Sequence, residues 1–161
     1  MRKLILTFIL AVATAGQANV IRSAPEFSWA GAGNSKRSLR SLRGQPVIIV
    51  FAESPKNGDF RKQLKWLKPV YHELAAKGAI FIAAFRAGGE GAVKSDIPFI
   101  VANNGSGVAS SYGVNGDFGV AIIGKDGNLD YVTEKVQAGE RVRDVVINNF
   151  DPQFEGRKQY K

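Results

Sequence analysis

Two stretches of the chain are apolar at every position, Val47 to Phe51 and Ala79 to Phe85. Strands that face water on one side alternate; strands covered on both sides do not, so these two predict central strands of a sandwiched sheet. Between them the period changes. Phe60, Leu64, Leu67, Tyr71 and Leu74 recur at spacings of four, three, four and three, which places them on one face of a helix predicted from about Asp59 to Lys77. Asn57 is the expected N-cap and Gly78 the left-handed residue that ends the helix. Pro69, inside this pattern, predicts a kink or a split, because it lacks a backbone donor and crowds the preceding turn. A strand, a helix and a strand, with both strands buried, predict a right-handed parallel crossover.

Outside this unit the signals are shorter. Glu26 to Trp29 reads as a first short strand, Gly31 to Asn34 as a loop, and Ser38 to Arg43 as a basic turn or short helix. Ala87 to Lys94 is a Gly-rich loop, Pro98 to Val101 a short strand and Ser106 to Tyr112 a short helix. Phe118 to Ile123 and Leu129 to Glu134 form a hairpin across Lys125-Asp126-Gly127-Asn128, a turn sequence. A closing helix runs from about Gly139 to Phe150, with Val142, Val145, Val146 and Asn149 inward. Trp29 and Trp66 read as core or rim packing. The order is that of an α/β thioredoxin-like sandwich: a mixed central sheet of four or five strands with helices on both faces.

Composition then narrows the chemistry. The 161 residues hold no cysteine and one histidine. Thiol catalysis, disulfides, iron–sulfur clusters and cysteine zinc sites are excluded together, and no cofactor or metal is expected. Arg2 and Lys3 precede a 13-residue apolar stretch, Leu4 to Gly16. Gly16 and Ala18 then supply small residues for cleavage, so residues 1–18 read as an export signal. A lasting membrane anchor needs about 20 apolar residues; no stable membrane insertion is expected once the signal is removed, and retention of the segment is the tethered alternative. Residues 19–45 then form a leader with the short strand and basic turn, 46–150 one domain, and 151–161 a polar tail.

Losing Arg2 and Lys3 takes the formal net charge from +8 to +6. The exported chain, periplasmic or secreted, is thus expected to meet an anionic envelope component or a protein partner, and not nucleic acid.

Particular residues carry a resemblance. Ser41-Leu42-Arg43-Gly44-Gln45-Pro46 followed by VIIVFA resembles the entry to the central strand of exported thioredoxin-like and peroxiredoxin-like proteins. Pro69 to Ala75 resembles the kinked part of their following helix. Phe51-Ala52-Glu53-Ser54, the helix with Gln63 and Leu64, and Gly119 to Gly127 look like a bacterial family of exported peroxiredoxin-like domains, also found in extracellular sushi-repeat proteins of animals. The similarity covers about Pro46 to Phe150. Redox members carry a cysteine in the loop before the kinked helix, where this chain reads Glu53-Ser54-Pro55-Lys56-Asn57-Gly58-Asp59. They also carry a cis-proline before the strand matching Phe118 to Ile123, where it reads Val114-Asn115-Gly116-Asp117. Ser54 does not replace the cysteine, since a hydroxyl lacks an accessible low-pKa anion. The resemblance implies a fold without its redox activity.

Two regions remain as a candidate binding surface. The loop with Ser54 and Lys56 opens the long helix, whose first N–H groups attract anions, although Asp59 opposes this. Arg61, Lys65, Lys68 and His72 follow at spacings of four, three and four, forming a basic stripe within about 60° on a helical wheel. The expected function is an exported, non-catalytic thioredoxin-like binding module. The alternative is a peroxiredoxin-like antioxidant or a hydrolytic enzyme with a non-thiol site, such as Ser54 with His72. Asp126, Asn128 and Asp130 have the spacing that opens a calcium loop, but Tyr131 and Gln137 stand where glycine and glutamate are required, so a turn is expected. Gly88-Gly89-Glu90-Gly91 is not a phosphate loop, and Asn104-Gly105-Ser106 fits a glycosylation triplet.

Overall fold

The computed structural model describes residues 22–88 and 93–148. The expected export signal, the middle of the Gly-rich loop and the polar tail lie outside the described residues.

The two apolar runs pair as neighbours at the centre of a five-stranded sheet. Strand β3 (Val47–Ala52) lies parallel to β4 (Ile80–Phe85), with Val47 opposite Ile80 and Ala52 opposite Phe85. The sheet also contains β5 (Phe99–Val101), β6 (Phe118–Ile123) and β7 (Leu129–Thr133), in the order β5-β4-β3-β6-β7. The β4–β5 pair is parallel; β3–β6 and β6–β7 are antiparallel, so the sheet is mixed as expected. Its edges are slight. One is the three-residue β5, and the other is β7, whose pairing with β6 shifts register between Ile122 and Ile123.

Alternation along β3 divides the core in two. Ile48, Val50 and Ala52 face a layer built from helix α1 (Gly58–Leu67), α2 (Tyr71–Ala76) and α4 (Gly139–Asn148), where Phe60, Leu67, Leu74, Val142 and Val145 are buried. Val47, Ile49 and Phe51 face helix α3 (Gly105–Ser111) and the N-terminal segment, which buries Phe27, Trp29 and Leu39. Fully burying side chains of this size contributes about 1.5–3 kcal/mol each. With no disulfide available, these two layers hold the fold.

Pro69 splits the long helix as predicted: a 3₁₀ turn, Lys68–Val70, separates α1 from α2. Asn57 caps α1 through its side-chain oxygen, which accepts from the Phe60 N–H at 3.0 Å, and Gly78 is left-handed at φ 77°. The Asp126 turn is also a turn in fact, with its carboxylate accepting from the Asn128 N–H at 2.9 Å. Asn104 likewise caps a helix, accepting from the Gly107 N–H at 3.2 Å. Trp29 is core and Trp66 is rim.

The N-terminal region departs from expectation. The first strand is Ser28–Ala30, two residues later than predicted (β1), and it pairs antiparallel with an unexpected β2, Lys36–Ser38. The basic turn or short helix expected over Ser38 to Arg43 does form, as a 3₁₀ segment, Leu39–Leu42, which buries Leu39. Backbone pairing at β2 overrides a side-chain pattern that is polar throughout.

Asp130 on β7 sits in a setting that disfavours its charged form. Burial, and then the neighbouring Asp126 carboxylate, push its pKa up to about 6 from an ordinary 3.8. Because the folded value is the higher one, ionisation works against folding as pH rises from about 4, and the effect saturates above about 6. Asp130→Asn is expected to stabilise the protein at pH 7.5 by about 1 kcal/mol, after discounting a two-unit shift for the group's exposure. Thermal unfolding at pH 7.5 and pH 4 checks this. The gain should vanish at pH 4.

Candidate functional site

The carboxyl end of β3 leads into Glu53 and then the loop Ser54–Asn57. The chain satisfies this loop internally. The Glu53 N–H donates to the Asp117 carbonyl at 3.2 Å, and the Asn57 N–H donates to the Ser54 carbonyl at 3.0 Å. The Ser54 hydroxyl oxygen accepts from the Lys56 N–H at 3.3 Å. With Asn57 capping α1 and Asp59 in its first turn, the positive end of the helix is already met by the chain's own acceptors. Lys56 is exposed and makes no ion pair among the described residues.

Facing this loop, residues 114–117 precede β6 and are pinned from the side. Glu134 accepts from the Asn115 N–H at 2.5 Å and the Gly116 N–H at 2.8 Å. Those backbone donors, Gly116 foremost, hold its carboxyl below the ordinary value, with the Arg86 guanidinium adding to the effect. Arg86, at the end of β4, donates to the Val114 carbonyl, and its Nε is buried without a partner. Where redox members of the resembled family have a proline, a carboxylate and a guanidinium fix this segment. No peptide bond among the described residues is cis.

The basic stripe is where side chains converge. Arg61 and Lys65 of α1 and Lys68 of the following 3₁₀ turn line an open groove of about 310 Å³ together with Leu64, Lys94, Ser95, Asp96 and Ile97. Its far wall follows the Gly-rich loop. Lys68 pairs with Asp96 at 2.5 Å, both side chains being mostly exposed. That contact, a hydrogen bond first and charge attraction second, raises the Lys68 pKa and lowers that of Asp96. Arg61, Lys65 and Lys94 have no carboxylate partner among the described residues.

The structure therefore brings together three of the six predicted surface residues and leaves three apart. Ser54 and Lys56 precede α1 and do not line the groove. His72 continues the stripe beyond Pro69, exposed and tilted against the Tyr71 ring at 5.3 Å, outside the groove. From Gly58 to His72 the helical run extends about 20 Å at 1.5 Å per residue, so Ser54 and His72 do not meet. Reasoning from the sequence missed Lys94, Ser95 and Asp96, whose approach to α1 is a tertiary contact with no local spacing signal. It also missed Arg86 and Glu134, which both bond the segment before β6.

Solved structures with the same architecture are numerous. A thiol:disulfide interchange protein from Bacteroides sp. matches with a TM-score of 0.64 at 16% identity, covering 80% of this chain and 90% of that one. The thioredoxin domain of a thiol-disulfide oxidoreductase from Bacteroides vulgatus matches at 0.61 and 17%, over 80% and 96% of the two chains. The fold is thioredoxin-like. A third thioredoxin-like match, the bacterioferritin comigratory protein of Xanthomonas campestris, a protein described with alkyl peroxide reduction activity, gives 0.62 at 13%, over 83% and 99%. At such identities the shared shape shows the fold alone. No known family model and no curated protein matches the chain. No helix among the described residues is long and apolar enough to cross a membrane.

Proposed function

We propose that this chain is an exported thioredoxin-like module that binds an anionic partner, an envelope component or a protein, and performs no catalysis. The observation that carries the reading is the convergence of Arg61, Lys65 and Lys68 with Lys94 on one groove. Among the described residues, four cations surround a single carboxylate there, which leaves a net positive field over the groove. Like charges at helical spacing repel by only a few tenths of a kcal/mol per pair, so the fold tolerates the arrangement while a bound anion gains from it. The chain has no sulfur nucleophile. In the same proposal the chain is exported and related to the peroxiredoxin-like domains it resembles.

Binding is supported over a peroxiredoxin-like antioxidant or hydrolytic enzyme by the separation of Ser54 from His72 and by the engagement of the Ser54 oxygen in its own turn. The purified protein is expected to bind an immobilised polyanion such as heparin and to release it with salt. Replacing Arg61, Lys65 and Lys68 together by alanine should lower the eluting salt concentration by about half. An unchanged elution would sink the groove, and peroxide consumption or esterase activity lost in Ser54→Ala would overturn the non-catalytic reading.

A further inference from the structure

We propose that the groove between α1 and residues 94–97 takes a phosphoryl dianion, with Asp96 as its displaceable internal counter-ion. The inference rests on the binding role proposed above and specifies its ligand chemistry.

The charges decide the class. Arg61, Lys65, Lys68 and Lys94 face the groove, and Asp96 answers only Lys68. An incoming carboxylate or sulfate ester that took Lys68 from Asp96 would exchange one single charge for another, with nothing gained at that residue. A group carrying two charges differs: it engages Lys68 and still offers charge to Arg61, Lys65 and Lys94. Phosphomonoesters have that charge above their second pKa of about 6, and inorganic phosphate above about 7. The guanidinium of Arg61 presents a planar fork to two oxygens, while the lysines act as point charges around it. Ser95 adds a hydroxyl: its oxygen accepts from the Ile97 N–H at 3.0 Å, which leaves the O–H able to donate.

Displacement of Asp96 is easy. The Lys68–Asp96 pair is exposed, with side chains 68% and 75% accessible. Exposed ion pairs are weak and are screened further by salt. Asp96 thus keeps Lys68 oriented toward the groove without committing it.

Titration calorimetry at low ionic strength provides the test, with inorganic phosphate and acetate as probes at pH 8 and pH 5. Phosphate is expected to bind at least tenfold more tightly than acetate at pH 8, and to lose most of that advantage at pH 5 as it becomes a monoanion. Asp96→Asn should tighten phosphate binding about fivefold, and Arg61→Met should weaken it about tenfold. Two further arms separate the sources of phosphoryl groups: glycerol 3-phosphate represents soluble esters, and phosphatidylcholine vesicles containing phosphatidic acid represent lipid. Binding in either arm supports the proposal.

Equal affinity for acetate and phosphate, or no response to Asp96→Asn, overturns it. If heparin retention depends on Arg61, Lys65 and Lys68 but phosphate fails, the ligand class falls and the binding role stands. If heparin retention ignores those residues, both fall.

Discussion

Gly105→Ala is expected to destabilise the protein by about 3 kcal/mol or more, a large fraction of the stability of a domain this size. A Cβ at this position would lie 2.2 Å from the Phe85 carbonyl oxygen, 2.5 Å from its nitrogen and 2.6 Å from its carbonyl carbon. All three are backbone atoms of a central strand. Neither side can yield cheaply. Phe85 is fixed at the end of β4, paired with Ala52, and α3 is fixed by Asn104, left-handed at φ 50° and capping Gly107. Relief requires α3 to lift from the sheet, loosening Val108, Ala109 and Tyr112, which are buried against it. Urea unfolding should show a lower midpoint at unchanged slope. Gly58→Ala, where a Cβ meets nothing within 4 Å, is the matched control and should be neutral or slightly stabilising. A Gly105→Ala protein within 1 kcal/mol of its parent would contradict the packing described.

Gln63→Ala is expected to have the second largest effect, about 3 kcal/mol. Gln63 is the one buried polar side chain among the described residues. Its amide bonds Gln137 twice: Nε2 donates to the Gln137 carbonyl at 2.9 Å, and Oε1 accepts from the Gln137 N–H at 2.7 Å. A side chain thus supplies α1 with a strand-like pairing to the segment leading into α4. Truncation leaves two backbone groups without partners, at about 1–3 kcal/mol each where they stay dry, and opens a cavity. Gln63→Met separates these contributions, since it restores volume without hydrogen bonds, and should recover no more than about a third of the loss. Amide exchange at Gln137 should accelerate in both variants. Full recovery by methionine would show that Gln63 acts only by filling space.

Both residues illustrate what the sequence conveys and what it does not. Val47 to Phe51 and Ala79 to Phe85 announce central strands because burial on both faces removes alternation, a local and periodic effect. The Asn57 cap, the Pro69 split and the Asp126 turn were legible for the same reason: each is settled within a few residues. Gly105 carried no such mark. Its need for a bare backbone comes from Phe85, which is distant in sequence, and only the assembled sheet creates it. Gln63 carries part of the family resemblance, but nothing in its local pattern marks it as buried or as bonded to Gln137, which is distant in sequence. The basic stripe was legible as spacing along α1, yet the groove depends equally on Lys94, Ser95 and Asp96, brought to it by chain folding. His72 kept its spacing and lost its place, because it lies past Pro69. Strand β2 was invisible, since Lys36-Arg37-Ser38 pairs through its backbone and contributes no apolar rhythm.

The slight margins of the sheet bear on how the molecule behaves in company. An exposed, long and regular border strand invites a second copy to extend the ladder, and this is a common route to insoluble assemblies. Here one border offers three residues immediately after Pro98, and the other is broken in register between Ile122 and Ile123. A protein lacking covalent cross-links unfolds partially more often than a stapled one, so its borders must be safe even when neighbours are crowded. The short and irregular margins offer a second copy little ladder to extend.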